Sequence, residues 1–198
     1  MKKFLLVLLA CFLVACGHSQ APAKLYGADI GGADFVGDFE LLDHHGAKRQ
    51  MSDYQGKVVV LFFGYTHCPD VCPTTLINLA DTLTALGADA DSFQPIFITV
   101  DPERDTPEVM KDYLANFDGR IVGLSGTPAE TAAAAKAYGV FTRRQPTAGG
   151  DYMMDHSTAI ALVSPQGAFQ RVYRPDDAPE AFAAALRRAV IKATETSP

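Results

Sequence analysis

The apolar run VVVLFF (58–63) constrains the fold more than any other part of this sequence. A continuous run of β-branched and aromatic residues is typical of a central strand that is buried on both faces of a sheet. The run leads directly into GYTHCPDVCP (64–73), where Cys68 and Cys72 stand four positions apart and each precedes a proline. The sequence therefore predicts a chain built around one buried strand that ends in a cysteine pair.

Strand and helix patterns alternate around this run. Strands are predicted at 35–43, in AKRQM (47–51), at 93–101 and twice within 158–174, and helices at 73–87, 106–117, 128–139 and 178–192. This order indicates a partly parallel sheet in one domain. A central strand ending in a cysteine motif that opens a helix is the thioredoxin-like arrangement. We therefore expect an α/β, thioredoxin-like (peroxiredoxin-like) sheet with helices on both faces and an extra N-terminal β-hairpin.

The N-terminus is typical of a secretory signal. Lysines at positions 2 and 3 precede an apolar stretch, 4–15, that is too short to span a bilayer comfortably. LVAC (13–16) resembles the lipobox of bacterial lipoproteins, which implies cleavage before Cys16 and a lipid on its sulfur; an ordinary signal with an incidental cysteine is the alternative. We expect a signal peptide (1–15), a lipidated tether (16–32) and a domain (33–198) held at a membrane surface.

Only two of the four cysteines would then keep a free sulfur, Cys68 and Cys72. Three intervening residues allow a disulfide, but they also allow two sulfurs to stand side by side without bonding. Two thiolates in that pose suit Cu(I) or Zn(II), although either metal needs a further ligand from elsewhere in the fold. We place Cys72 at the helix cap and Pro73 at the first helical position, so that the helix N-terminus favours thiolate.

His156 is the histidine best placed to complete such a site. It stands just before a predicted strand in DYMMDHSTAIALV (151–163), and the corresponding loop of a thioredoxin-like fold faces the cysteine motif. Asp155 could orient its imidazole. Core packing is expected for Met153 and Met154. Of the remaining histidines, His18 lies in the tether, His44 and His45 are expected in a solvated turn, and His67 could tune the neighbouring thiolate.

A polar cluster, VDPERDTP (100–107), follows another predicted strand. Helix capping and salt bridges of Arg104 would account for its charges. Alternatively, Asp101 and Asp105 form a carboxylate patch at the C-terminal edge of the sheet that binds a partner or a cation.

These motifs resemble the Sco/SenC family, copper-handling factors for cytochrome c oxidase assembly. The resemblance is carried by GYTHCPDVCPTTL (64–76), FITVDPERDTPEVMKDY (97–113) and DYMMDHSTAIALVSPQG (151–167), in an order and spacing that match over 33–192. It implies a membrane-tethered domain that binds Cu(I) or Cu(II), one ion per chain, through Cys68, Cys72 and His156. It also implies a place in the bacterial cell envelope, with the soluble domain in the periplasm.

The resemblance leaves two functions open. One is a metallochaperone that delivers copper to, or helps mature, the dinuclear copper centre of a cytochrome c oxidase subunit, with other copper chaperones or thiol–disulfide proteins as partners. The other is a thiol–disulfide oxidoreductase in which Cys68 attacks a protein disulfide and Cys72 resolves it. The spacing and the position of His156 favour the first.

Three other classes are disfavoured. The net charge of −6 argues against a nucleic-acid partner, which requires a basic face. The sequence before Cys68 lacks the Thr/Ser-rich loop of peroxiredoxins, which argues against a peroxidase. A purely structural disulfide would close a loop too short to stabilise the fold much.

Overall fold

A computed structural model of the protein describes residues 28–29, 38–167, 169–173, 180 and 182–188. The predicted signal, the predicted lipidation site Cys16 and most of the predicted tether lie outside these residues. Ala28 and Asp29, assigned to the tether, instead form a short strand that pairs with 171–172. Within the part of the chain that is described, no helix has the length and apolarity needed to cross a bilayer.

An eight-stranded mixed sheet forms the centre of the molecule, with the strand order β1-β10-β9-β4-β5-β6-β2-β3. Its strands are β1 (Ala28–Asp29), β2 (Glu40–Asp43), β3 (Lys48–Gln50), β4 (Val58–Gly64), β5 (Phe93–Thr99), β6 (Val122–Ser125), β9 (Ile160–Val163) and β10 (Phe169–Tyr173). Two further strands, β7 (Thr142–Pro146) and β8 (Tyr152–His156), form a separate antiparallel hairpin.

β4 lies in the middle of this sheet, as its apolar run predicts. It pairs in parallel with β5, from Val58 opposite Phe93 to Gly64 opposite Thr99, and antiparallel with β9. Every residue of β4 is buried, so both faces of the sheet are covered there. The predicted N-terminal hairpin is present as β2 and β3, and it joins the sheet edge through antiparallel pairing of β2 with β6.

Three helices have complete described bounds: α1 (Val71–Leu86), α2 (Pro107–Leu114) and α3 (Pro128–Ala137). A fourth, α4, is described at 180 and 182–188, within the predicted 178–192. Thr106 and Thr127 cap α2 and α3, each followed by a proline at the first helical position. All four helices bury apolar side chains in the same core as β4 and β5.

The start of α1 differs from the prediction. Asp70 is the N-cap, so Cys72 is the second helical residue and Pro73 the third. Proline is tolerated there because the first four backbone N–H groups of a helix have no partner within the helix. The cysteine therefore lies inside the first turn rather than at its cap.

Besides β1, two parts of the fold were not predicted. β6 has only four residues, VGLS, too few for a clear pattern. The β7 sequence TRRQP is largely exposed and has no apolar alternation, because the β7–β8 hairpin stands apart from the main sheet. The hairpin matters for function, since His156 is its last residue.

Candidate metal centre

Cys68 and Cys72 follow the C-terminal end of β4, and both are free thiols. Cys72 is fully buried in the first turn of α1, whereas Cys68 is half-buried in the preceding loop. The backbone N–H of Cys72 donates a 3.4 Å hydrogen bond to the Cys68 sulfur. This contact brings the two residues together at the start of the helix.

Gly64, the last residue of β4, makes room for the Cys72 sulfur. A Cβ built on Gly64 would lie 2.9 Å from Cys72 Sγ and 2.6 Å from Phe97 Cε2, closer than real Cβ atoms approach. Only glycine fits here without moving one of these neighbours. This role was not predicted from the sequence, although a glycine that ends a continuous apolar run indicates that another group approaches the backbone closely.

His156 reaches the cysteine pair from the β7–β8 hairpin. Its Nε2 atom lies 3.7 Å from Cys72 Sγ, across 84 residues of sequence. Its Nδ1 atom lies 2.9 Å from the carbonyl oxygen of Ser157. A carbonyl can only accept, so Nδ1 carries the proton and donates it, which leaves the Nε2 lone pair facing the sulfur. The Tyr65 ring packs edge-on against the imidazole, with ring centroids 5.8 Å apart.

Burial favours the neutral forms of Cys72 and His156. It raises the pKa of the Cys72 thiol well above its ordinary value, and a backbone hydrogen bond from Tyr65 only partly opposes the effect. Our expectation that the helix N-terminus would favour thiolate is therefore wrong for Cys72, because desolvation outweighs the helix dipole. Burial also lowers the pKa of His156, against smaller opposing effects of the Ser157 carbonyl and Asp155. A metal bound here would displace the Cys72 proton.

The predicted ligands are only partly assembled. Cys72 and His156 are in contact, but no group of three His, Cys, Asp or Glu side chains in the described chain is already arranged to hold a metal ion. Cys68 lies beside this pair, because its sulfur accepts a 3.4 Å hydrogen bond from the Cys72 backbone N–H.

Asp155 does not orient the imidazole as predicted. Its carboxylate pairs with Arg143 Nη2 at 2.9 Å, and the hydrogen bond from Nδ1–H is accepted by the Ser157 carbonyl instead. Successive side chains of a strand point to opposite sides, which separates Asp155 from its neighbour His156. Met154 packs against the core as expected, but Met153 is exposed.

The carboxylates of residues 101–105 form hydrogen bonds and ion pairs with other side chains and with the backbone of the protein. Asp105 is buried and accepts hydrogen bonds from Thr66 N (3.0 Å), Thr66 Oγ1 (2.6 Å) and Thr99 Oγ1 (2.6 Å). Asp101 pairs with Arg104 Nε and accepts from the Tyr152 hydroxyl at 2.7 Å. Burial raises the pKa of Asp105 despite its donors. These contacts support the capping and salt-bridge interpretation of the cluster.

Two other described histidines, His67 and His44, have partners of their own. His67 is exposed, with its Nδ1 atom 3.9 Å from Asp105 Oδ1. His44 is not simply solvated, since its Nδ1 atom accepts a 3.0 Å hydrogen bond from the Gly123 backbone.

Comparisons with known proteins show what this chain is similar to. The family model SCO1/SenC matches residues 27–191, which include both cysteines and His156. The human mitochondrial protein SCO2 homolog is 41% identical over 155 residues, 77% of this chain and 58% of the human protein. The chain thus spans less than two thirds of that relative.

Two solved structures share the fold. ScoI of Bradyrhizobium japonicum with copper bound is 47% identical, with a TM-score of 0.74 over 78% of this chain and 98% of that one. Arabidopsis thaliana ScoI with copper bound is 31% identical, with a TM-score of 0.75 over 80% and 99%. These likenesses confirm the predicted thioredoxin-like α/β fold.

Proposed function

Because the chain belongs to the SCO1/SenC family, we propose that it is a copper metallochaperone whose cargo is held by Cys68, Cys72 and His156. The observation that carries the proposal is the 3.7 Å contact between His156 Nε2 and Cys72 Sγ, two ligand atoms supplied by separate elements. The similarity to two copper-bound ScoI structures supports copper as the metal.

The donor set fits copper chemically. Thiolates are soft ligands that favour Cu(I), and imidazole suits both oxidation states. The Ser157 carbonyl fixes the tautomer that exposes Nε2. The half-buried Cys68, whose sulfur accepts a hydrogen bond from the Cys72 backbone, would supply the third ligand beside Cys72 and His156. One copper ion per chain would then replace the proton that Cys72 holds when metal-free.

The cargo would pass to the dinuclear copper centre of a cytochrome c oxidase subunit, or support the maturation of that centre. Sco/SenC membership favours this target. Donors to the protein would be other copper chaperones, and thiol–disulfide proteins would keep the cysteine pair reduced. Exchange through Cys68 is favoured by its partial exposure, since an incoming ligand can reach it first.

Anchoring at a membrane is the second part of the proposal. Cleavage before Cys16 and lipidation of its sulfur would tether the domain to a membrane of the bacterial envelope, with the domain in the periplasm. The apolar stretch before LVAC (13–16) supports this placement.

Thiol–disulfide exchange is the alternative function. The more exposed Cys68 would attack a substrate disulfide, forming a mixed disulfide and releasing one substrate thiolate. Cys72 would then attack Cys68 Sγ, so that the substrate leaves as a dithiol and the pair is oxidised by two electrons. The raised pKa of Cys72 disfavours this second step, because the thiolate is the attacking form.

Copper titration of the reduced full chain tests the proposal. We expect one copper per chain, with thiolate-to-Cu(II) charge-transfer absorption that is lost in Cys68→Ser and Cys72→Ser and altered in His156→Ala. His45→Ala is the matched control, because that imidazole is exposed in the β2–β3 turn. A parent chain that holds no copper but rapidly reduces a protein disulfide would replace this function with the alternative.

A further inference from the structure

The β7–β8 hairpin that carries His156 has no strand pairing with the main sheet among the described strands. Its position over Cys72 therefore depends on side-chain contacts with the body of the protein. Several of these contacts converge on the turn between β5 and α2, residues 101–105.

Arg104 and Tyr152 join this turn to the hairpin. Arg104 Nη1 donates to the Tyr152 carbonyl at 3.1 Å and to Asp151 Oδ1 at 3.2 Å, while Nε pairs with Asp101. The Tyr152 hydroxyl donates to the same Asp101 carboxylate at 2.7 Å. One buried carboxylate thus receives both an arginine from its own turn and a tyrosine from the hairpin.

The Tyr152 ring lies between two guanidinium groups. Arg104 Cζ is 3.7 Å from the ring centroid and Arg144 Cζ is 3.4 Å from it. Arg144 in turn pairs with Glu103 at 3.0 Å. Cation–π contacts of this kind become stronger when the cation is desolvated, as Arg104 is with only 18% of its side chain exposed.

The same turn also contacts the cysteine side of the site. Asp105 accepts from both the backbone N–H and the hydroxyl of Thr66, two residues before Cys68. Arg104 Cζ lies 5.9 Å from the Tyr65 ring, which packs against His156. The turn therefore touches the elements that present both the thiols and the imidazole.

We propose that the 101–105 turn positions both halves of the metal site: Asp105 holds the cysteine loop through Thr66, and Asp101 and Arg104 hold the His156 hairpin through Tyr152. Arg104 and Tyr152 are accordingly positioning residues that act through His156 and do not bind the metal. The VDPERDTP motif then serves to position the metal site, a function that neither a cation site nor a simple helix cap would provide.

The inference rests on the proposed copper function, and its test includes a readout that needs no metal. Tyr152→Phe removes only the hydrogen bond from the Tyr152 hydroxyl to Asp101. Arg104→Lys keeps the positive charge but removes the planar guanidinium group that donates to several acceptors at once. Arg143→Lys is the matched control, because Arg143 pairs with the exposed Asp155 within the hairpin. Each variant would be made in the full chain and again with His156→Ala.

We expect Tyr152→Phe and Arg104→Lys to raise the Kd for Cu(I) by about 10- to 100-fold, the usual cost of disturbing groups that orient a ligand. The loss should vanish in the His156→Ala background, because the two residues act through that imidazole. In metal-free protein, amide hydrogen exchange over 142–157 should accelerate while exchange in β4 stays unchanged. The control should stay within about twofold in Kd.

A Kd within about twofold of the parent in both variants would overturn the inference, as would unchanged exchange over 142–157. A loss of affinity that persists without His156 would also overturn it. A parent chain that binds no copper would refute the proposed function, and the exchange data would then decide the positioning role alone.

Discussion

Replacing Gly64 with alanine would place a methyl group in the space that the Cys72 sulfur occupies. The new Cβ would lie 2.6 Å from Phe97 Cε2 and 2.9 Å from Cys72 Sγ. Both neighbours are fully buried, so neither can move into solvent. The helix start and the paired strand β5 would have to shift, and the cysteine would shift with them.

The size of the effect follows from two opposing contributions. Overpacking a close-packed core costs about 1–3 kcal/mol. Replacing glycine with alanine also lowers the conformational entropy of the unfolded chain, which stabilises the folded state by about 0.4–1 kcal/mol. We therefore expect the free energy of unfolding to fall by about 1–2 kcal/mol, or the Tm by about 2–8 °C for a chain of this size.

Urea unfolding of the reduced, metal-free chain measures this change. Gly119→Ala is the matched control, because no described heavy atom lies within 4 Å of a Cβ built there. The control should keep or slightly raise the urea midpoint. If Gly64→Ala keeps the parent midpoint and the parent copper affinity, the argument that glycine makes room for the Cys72 sulfur is wrong.

Three further predictions concern pH, thiol reactivity and capping. Burial, and to a smaller extent the charge of His45, lowers the pKa of His44. The contribution of the neutral His44 imidazole to the free energy of unfolding is therefore complete above about pH 6.5, and it is lost as the pH falls through the lowered pKa. Urea midpoints of His44→Asn should accordingly vary less between about pH 7.5 and 5 than those of the parent, and an equal pH dependence would contradict this. Iodoacetamide should alkylate Cys68 at least about tenfold faster than the fully buried Cys72, as followed by peptide mass spectrometry, and equal rates would refute the burial argument. Thr127→Ala, which removes the N-cap of α3, should lower the free energy of unfolding by about 0.5–2 kcal/mol in urea titrations, whereas an unchanged midpoint would mean that the cap contributes nothing.

Elements with a strong local pattern were predicted well. The run 58–63 became the fully buried β4, and Thr106-Pro107 began a helix where the cap and proline indicated. The β7–β8 hairpin was not predicted, because it stands apart from the main sheet and β7 is largely exposed. The periodic spacing of apolar residues in a sequence arises from burial on one face of an element. A largely exposed strand outside the main sheet therefore shows little such periodicity.

The sequence by itself determined the central strand, the helix that follows it and the identity of Cys68, Cys72 and His156 as the candidate ligands. Tertiary structure alone decided which group orients the imidazole, since strand alternation turns Asp155 towards Arg143 and leaves Nδ1 to the Ser157 carbonyl. It also decided that Cys72 is a neutral thiol, because its burial outweighs the helix dipole. Residue types and spacing are local properties, whereas desolvation and contacts across 84 residues exist only once the chain has folded.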